Sequence, residues 1–191
     1  MNNSLKDLNE KERKQHAKRV IEALLFSSSD PLSLQKIHEI LQDFYPYSEI
    51  ETKEFINLLK ENYTHHQHAF QLDEIAGGYI LRTSTAFSPY IEKLRGHKRT
   101  EKLSQAGIET IAIIAHKQPI ARSAIEAIRG VDSSGILHTL LEKELIEIVG
   151  KQEVPGRPSL YGVTKKFLHY FGIKSIQELD SLGKREIAYK S

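Results

Sequence analysis

The 191 residues are 39% hydrophobic and 27% charged, contain no Cys and no Trp, and carry a net charge of +2. That length suits one ordinary domain or two small ones, and the apolar content is too high for wholesale disorder. The lack of Cys excludes a disulfide framework, Cys-ligated zinc, iron–sulfur clusters and thiol catalysis, and a charge split of −2 over residues 1–96 and +4 over 97–191 is a weak footprint for nucleic acid.

The first 15 residues are polar and carry charges of both signs. They have no apolar core of a signal peptide, and the expectation is a flexible tail. From Ala17 the apolar residues Ala17, Val20, Ile21, Leu24 and Leu25 form the stripe of an amphipathic helix, which Ser27 to Pro31 ends. Ser33 suits the N-cap of a second helix with Leu34, Ile37, Ile40 and Leu41 inward. Pro46 breaks the chain, and a third helix from about Ser48 to Tyr63 is expected to bury Phe55, Leu58 and Leu59. The period then changes to two. Phe70 and Leu72, the Gly77-Gly78 turn, then Tyr79, Leu81 and Thr83 spell a β-hairpin. Three helices and a hairpin are the order of a winged helix-turn-helix domain. Ser88-Pro89 reads as the cap and first residue of a helix bearing Phe87, Ile91 and Leu94 on one side. The polar run 96–102 reads as a linker.

The pattern then restarts. One helix carries Ile108, Ile111, Ile113 and Ile114; a short one carries Ile125 and Ile128 and stops at Gly130; a third carries Ile136, Leu137, Leu140 and Leu141. Strands Ile146–Val149 and Ser159–Val163 flank a loop, and Thr164 suits the cap of a last helix with Phe167, Leu168 and Phe171. The halves align at an offset of 88 residues, which pairs Val20 with Ile108, Leu25 with Ile113, Pro31 with Pro119, Leu32 with Ile120, and Ile37 with Ile125. We read an internal repeat. The second copy has Ala121 where the first has the capping Ser33. The fold class is therefore mainly α with small β-hairpins (α+β), in tandem winged helix-turn-helix domains. The boundaries are a tail over 1–15, an N-terminal domain over 16–95, the linker 96–102, a C-terminal domain over 103–172, and a short helix and flexible tail over 173–191.

The sequence holds no G-x-x-x-x-G-K-[ST], no G-x-G-x-x-G and no H-E-x-x-H, and nothing marks one Ser as activated. No enzyme, catalytic residue or cofactor is expected. His65-His66-Gln67-His68 is the one cluster that invites a metal-dependent alternative, yet it has no Cys and only distant carboxylates. A winged helix also invites a DNA-binding transcription regulator. Against it, the third helix of the first copy carries Glu49, Glu51, Glu54 and Glu61 with only Lys53 and Lys60. The third helix of the second copy offers Ser133, Ser134, His138 and Thr139 and no arginine to read guanine. DNA contact is expected to be weak or indirect, through Lys98, Arg99, Lys102, Lys151 or Arg157. Protein recognition remains. The loop Val154-Pro155-Gly156-Arg157-Pro158, with Tyr161 beyond it, reads both as a stiff turn and as a platform for Arg157 and Tyr161.

The strings AIIAHKQPIAR (112–122) and PGRPSLYG (155–162), within a stretch from about Leu103 to Gly172, resemble the bacterial segregation and condensation protein B family. RVIEALLFSSSDP and GGYILRTS of the first half match in the same order. The resemblance implies two winged-helix domains and a homodimer through the N-terminal domains. It also implies chromosome condensation and partition during cell division. The partner would be the kleisin subunit, segregation and condensation protein A (ScpA), which in turn reaches the SMC ATPase. It implies a cytoplasmic, nucleoid-associated location and kleisin contacts at His116, Lys117, Gln118, Pro119, Gly156, Arg157, Pro158 and Tyr161. His116 stands where the family often has an aromatic residue, Ala121 where it has Ser or Thr, and Gly107 where Ala is common.

Overall fold

The computed structural model describes residues 9–95 and 103–179. The chain divides into two compact units, one within residues 1–97 and the other within 98–191. The expected linker and both chain ends beyond these limits lie outside the described residues.

The first unit opens with α1 (Glu10–Ser27). It starts seven residues before the expected Ala17, and polar chemistry explains why. Asn9 Oδ1 accepts from the Glu12 N–H at 3.0 Å, while Glu12 Oε2 accepts from the Asn9 N–H at 2.9 Å. That reciprocal pair satisfies two donors that a helix start otherwise leaves orphaned. Glu10 and Lys14, one turn apart, pair at 2.8 Å on the exposed face of the first turn. Hydrophobic periodicity sees neither device, so the stretch read as a tail is helical from Glu10.

Helix α2 (Leu34–Gln42) is capped by Ser33, whose Oγ accepts from the Lys36 N–H at 3.2 Å. Helix α3 (Glu49–His65) is capped by Ser48 in a second reciprocal pair with Glu51. Its buried face differs from the expected one. Phe55 is buried and Leu59 packs against the core, but Ile56 takes the deep position and Leu58 is 49% exposed. The core of this unit joins Ala17, Ile21, Leu25, Ile37, Leu41, Phe55, Ile56, Leu72 and Tyr79. Each such large apolar side chain contributes roughly 1.5–3 kcal/mol on burial.

Strands β1 (Phe70–Ile75) and β2 (Gly78–Thr83) form an antiparallel hairpin in which Leu72 faces Leu81 and Ile75 faces Gly78. The two-residue turn is Ala76-Gly77, with φ of 52° and 74°. Two positive φ values match the right-handed twist of the strands. Gly78 meets a different constraint: a Cβ there would lie 2.9 Å from the Leu32 backbone oxygen. That closeness comes from a backbone bridge in which the Leu32 N–H donates to Tyr79 O at 2.9 Å and the Tyr79 N–H returns to Leu32 O at 2.8 Å. Burial along the hairpin departs from simple alternation, since Phe70 is exposed while Ile80 is buried with Ile75.

Ser88 does not cap the next helix. A 3-10 turn over Thr85–Phe87 runs directly into α4 (Ser88–Arg95), so Ser88 already has helical dihedrals and the entry sits at Ser84. Phe87, Tyr90 and Leu94 of this segment are exposed.

The second unit contains α5 (Gln105–Lys117), β3 (Ile120–Ala121), α6 (Arg122–Arg129), α7 (Ser134–Glu142), β4 (Ile146–Lys151), β5 (Ser159–Val163) and α8 (Lys165–Phe171). Gly130 ends α6 at φ 74°, and Thr164 caps α8 by accepting from the Phe167 N–H at 3.2 Å. Strand β3 has no counterpart among the elements expected from the sequence. It pairs with β5, placing Ile120 beside Tyr161 and Ala121 beside Leu160, and the sheet order is β3-β5-β4. The core unites Ile111, Ile114, Ile125, Leu137, Leu140, Leu145, Ile146 and Phe167. It also takes in Ile173, with Ile176 and Leu179 packed against it, so this unit continues past the expected boundary at residue 172.

The repeat is visible in this detail, with one correction. From Pro31 onward the offset of 88 holds: α2 and α6 begin 88 residues apart, and Leu32 and Ile120 both bridge to a tyrosine in the hairpin. The first helices align instead at 90. They end at Ser27 and Lys117, and the buried Ala17, Ile21 and Leu25 match the buried Gly107, Ile111 and Ala115. The pairing of Val20 with Ile108 is therefore two residues out of register. Both helices are amphipathic, and a small slip still matches apolar to apolar.

The copies differ at a cap. Ala121 precedes α6 in extended backbone with no side-chain hydrogen bond, where Ser33 bonds to its helix. Ala121→Ser is expected to stabilise the second unit by about 0.5–2 kcal/mol, read as a higher Tm by calorimetry; an unchanged or lower Tm refutes the cap. In the first unit, the Ser48 N–H and hydroxyl hold the Glu51 carboxyl below its ordinary value of 4.5. Its folded pKa is depressed, so its contribution is complete above the unfolded value and fades as pH falls through the folded one. The urea midpoint of Glu51→Gln should therefore change less with pH below 4.5 than that of the parent.

Candidate functional site

The eight residues expected at a partner contact fall into two groups at opposite ends of β5. His116 and Lys117 are exposed in the last turn of α5, and Gln118 and Pro119 follow as the chain turns into β3. Antiparallel pairing of β3 with β5 sets this group beside Tyr161 and Val163. Gly156, Arg157 and Pro158 stand beyond the other end of the strand, at the tip of the wing. Ser159 and Val163 are four residues apart, which is roughly 13 Å of strand. Tyr161 lies between the groups, flanked by Ile120 and Ile148 and half-buried against the core.

The wing tip is a built turn. The Arg157 N–H donates to Val154 O at 2.9 Å, and Gly156 at the third position has φ 85°. Pro155 at the second position and a left-handed Gly at the third define a type II turn. Arg157 itself sits at φ 40°, in the left-handed region that costs a side-chain-bearing residue about 1–2 kcal/mol. Below the turn the Gln152 N–H donates to Pro158 O at 2.9 Å and closes the hairpin neck. Loop and neck together hold the exposed Arg157 in a fixed position.

Gln118 has a different role from a simple surface contact. Its Oε1 accepts from the Val163 N–H at 2.7 Å, joining the end of α5 to the end of β5. A Cβ on Gly162 would approach that oxygen at 3.1 Å and Val149 Cγ1 at 2.9 Å, so a side chain there would have to displace Val149.

Between the two groups runs an open cleft of about 530 Å³, lined by Pro119, Ile120, Ala121, Ser123, Ala124, Gln152 and Leu160. It carries no ionisable side chain. Only Pro119 of the expected residues lines it. The others were missed because β3 was missed, and β3 is two residues long, below what period-two patterning detects. The sequence did hold a signal: Ile120 stands opposite Leu32 in the repeat, and Ala121, Ser123 and Ala124 are small residues that leave room.

Beside the cleft, Arg122 is locked rather than free. Its Nε donates to Glu126 at 2.6 Å and its Nη2 to Asp132 at 2.7 Å. The Glu126 hydrogen bond, above all, raises the Arg122 pKa. The Ser134 hydroxyl, above all, holds the Asp132 carboxyl low. Ser133 is buried and Ser134 is engaged by Asp132, so neither is free to read a base. His138 lies 3.4 Å from Glu142. In the first unit, His65 meets His66 edge-on, His66 lies tilted against His68, and His68 meets Tyr63 edge-on. Among the described residues no group of three or more His, Asp or Glu converges on a metal position. No helix among them is long and apolar enough to cross a membrane.

Two successive three-helix units, each with a β-hairpin wing, define a tandem winged-helix protein. A sequence model of the family described as segregation and condensation complex subunit ScpB matches residues 19–182. The segregation and condensation protein B of Geobacillus kaustophilus (strain HTA426) is 43% identical over 180 residues, covering 91% of this chain and 81% of that one. A homolog of it from Coxiella burnetii (strain RSA 493 / Nine Mile phase I) is 41% identical over 164 residues, covering 85% and 77%. Among solved structures, ScpB from Mycobacterium tuberculosis is 27% identical with a TM-score of 0.41, covering 87% of this chain and 99% of that one. A dimer of an ScpB N-terminal domain complexed with an ScpA peptide is 36% identical with a TM-score of 0.38, covering 42% and 95%. The chain belongs to the ScpB family of chromosome segregation and condensation subunits.

Gln118→Ala leaves the part-buried Val163 N–H without its partner and should cost about 1–3 kcal/mol. Thermal unfolding measures this, and an unchanged Tm would return Gln118 to the surface.

Proposed function

We propose that the chain is a non-enzymatic subunit that binds the kleisin ScpA, acts as a homodimer through its N-terminal units, and thereby serves the SMC complex in the cytoplasm at the nucleoid. The observation that carries this reading is the uncharged cleft between β3, α6 and the wing. Apolar side chains of an extended polypeptide fit such a surface, whereas a phosphate backbone gains nothing from it. The helices that would enter a DNA groove agree. Helix α3 has four Glu against two Lys, and α7 has neither Lys nor Arg. The stiff wing complements the cleft, since a preformed turn loses little entropy on docking. Family membership supplies the identity of the partner, and the eight residues from His116 to Tyr161 are proposed as the rim of its contact. DNA contact, on this reading, is weak or indirect.

The test is co-purification with the cognate ScpA, with masses from light scattering. Two variants probe the contact. Arg157→Glu reverses the charge on the wing, and Ala124→Glu places a carboxylate at an exposed position in the cleft. Both are expected to weaken ScpA binding at least about tenfold with Tm nearly unchanged, the loss usual for a central interface residue. Full affinity in both variants would leave the wing a turn and the cleft a surface feature. Sequence-selective DNA binding at physiological salt would favour a transcription regulator instead.

A further inference from the structure

We infer that residues 1–8 dock on their own chain, as a strap laid in the groove between α1 and α3 that covers Leu58. The contact lies within one chain, so the inference does not depend on the ScpA reading.

The groove encloses about 640 Å³, walled by α1 from Asn9 to Lys18 and floored by Phe55 and Leu58 of α3. Phe55 is buried, but Leu58 is 49% exposed, although sequence patterning places it in the core. A leucine left half in water on the floor of a concave surface gains from any apolar cover.

Position says which segment supplies that cover. Residues 1–8 read MNNSLKDL, with Leu5 and Leu8 as their apolar residues beside Met1. They join the described chain at Asn9, which itself lines the groove. Leu8 immediately precedes this N-cap. An apolar residue there commonly staples onto the fourth residue of the helix, which here is Arg13, so α1 offers Leu8 no apolar side chain at that place. The floor of the groove offers one.

Reach and facing agree. Asn9 has φ −69° and ψ 168°, close to polyproline II. Carried back through residues 5–8, that conformation repeats every three residues with a rise of about 3.1 Å, which sets Leu5 and Leu8 on one side roughly 9 Å apart. Leu5 then lies about 12 Å from Asn9, within a helical wall about 13 Å long. Charge agrees as well. Lys11, Lys14 and Lys18 line the wall, but so does Glu10, and Glu51 of α3 lies within electrostatic reach of Lys14. Such a mixed field favours neither a polyanion nor a polycation. Lys6 and Asp7 of the strap bring one charge of each sign.

The chain holds no Cys, so a pair of introduced cysteines reports alone. In the full chain, Leu5→Cys with Leu58→Cys should oxidise to a disulfide within one chain in most molecules, read by mass spectrometry of a digest, because the bond needs Cα atoms within about 7 Å. Leu5→Cys with Lys60→Cys, exposed about 200° further round α3, should stay reduced under the same oxidant. A double-mutant cycle tests the contact without cysteine. Leu58→Asp should lower the Tm of the parent by at least about 4 °C, and that of the Leu5→Asp/Leu8→Asp chain by less than half as much, since groups in contact are not additive. Equal cross-linking at both positions of α3 means a tether that samples every side, and overturns the strap. A disulfide that joins two chains assigns the groove to a second copy, and no disulfide leaves the floor to another molecule. Each of these results overturns the inference, as do additive costs in the cycle.

Discussion

Each half of this protein is closed by a short backbone bridge between the segment after its first helix and the second strand of its hairpin. In the first unit it is the two hydrogen bonds between Leu32 and Tyr79; in the second it is the pairing of β3 with β5 at Ile120 and Tyr161. It adds backbone hydrogen bonds to a hairpin that already packs on the first and third helices of its unit. The helices and hairpin share one core, and through the bridge residues distant in sequence come within side-chain reach. Glycine is obligatory where the bridged strands lie closest, because the Leu32 carbonyl leaves no room for a Cβ on Gly78. In the second unit Gln118 adds a side-chain tie to Val163, two residues from Tyr161.

Everything proposed for the C-terminal unit sits on this bridge. Strand β3 forms one bank of the cleft, and the strand it pairs with leads into the wing. The locked trio of Arg122, Glu126 and Asp132 fixes the start of α6 against the start of α7. The wing turn then projects from a scaffold that has already lost its conformational freedom, which is the condition under which one exposed arginine and one half-buried tyrosine make effective anchors.

Much of this was legible in the sequence, and the parts that were not share a cause. Caps and stops act locally, so Ser33, Ser48, Thr164 and Gly130 lie where their chemistry places them. Long amphipathic stripes were equally readable, and so was the hairpin, although its turn is Ala76-Gly77 rather than Gly77-Gly78, with Gly78 already paired in β2. Helix α1 began earlier than its apolar stripe because a capping pair and an ion pair, not burial, set its start. Leu58 and Ile56 are two positions apart, about 200° round the helix, so they cannot both face inward, and only the packed elements decide which one does. Strand β3 is too short to show a period. The 90-residue register of the first helices was hidden because one amphipathic helix nearly matches another at several offsets. Of the residues proposed for docking, the turn of the wing could be read from its Pro and Gly, while the cleft depended on the unseen strand and therefore could not.

The cleft's lack of ionisable groups has a consequence for the living cell. A contact made there displaces no counterions and titrates no group, so its strength is nearly indifferent to the surrounding electrolyte. A clasp built there from proline, isoleucine, alanine and leucine would keep its hold at ionic strengths that loosen pairs of opposite charges.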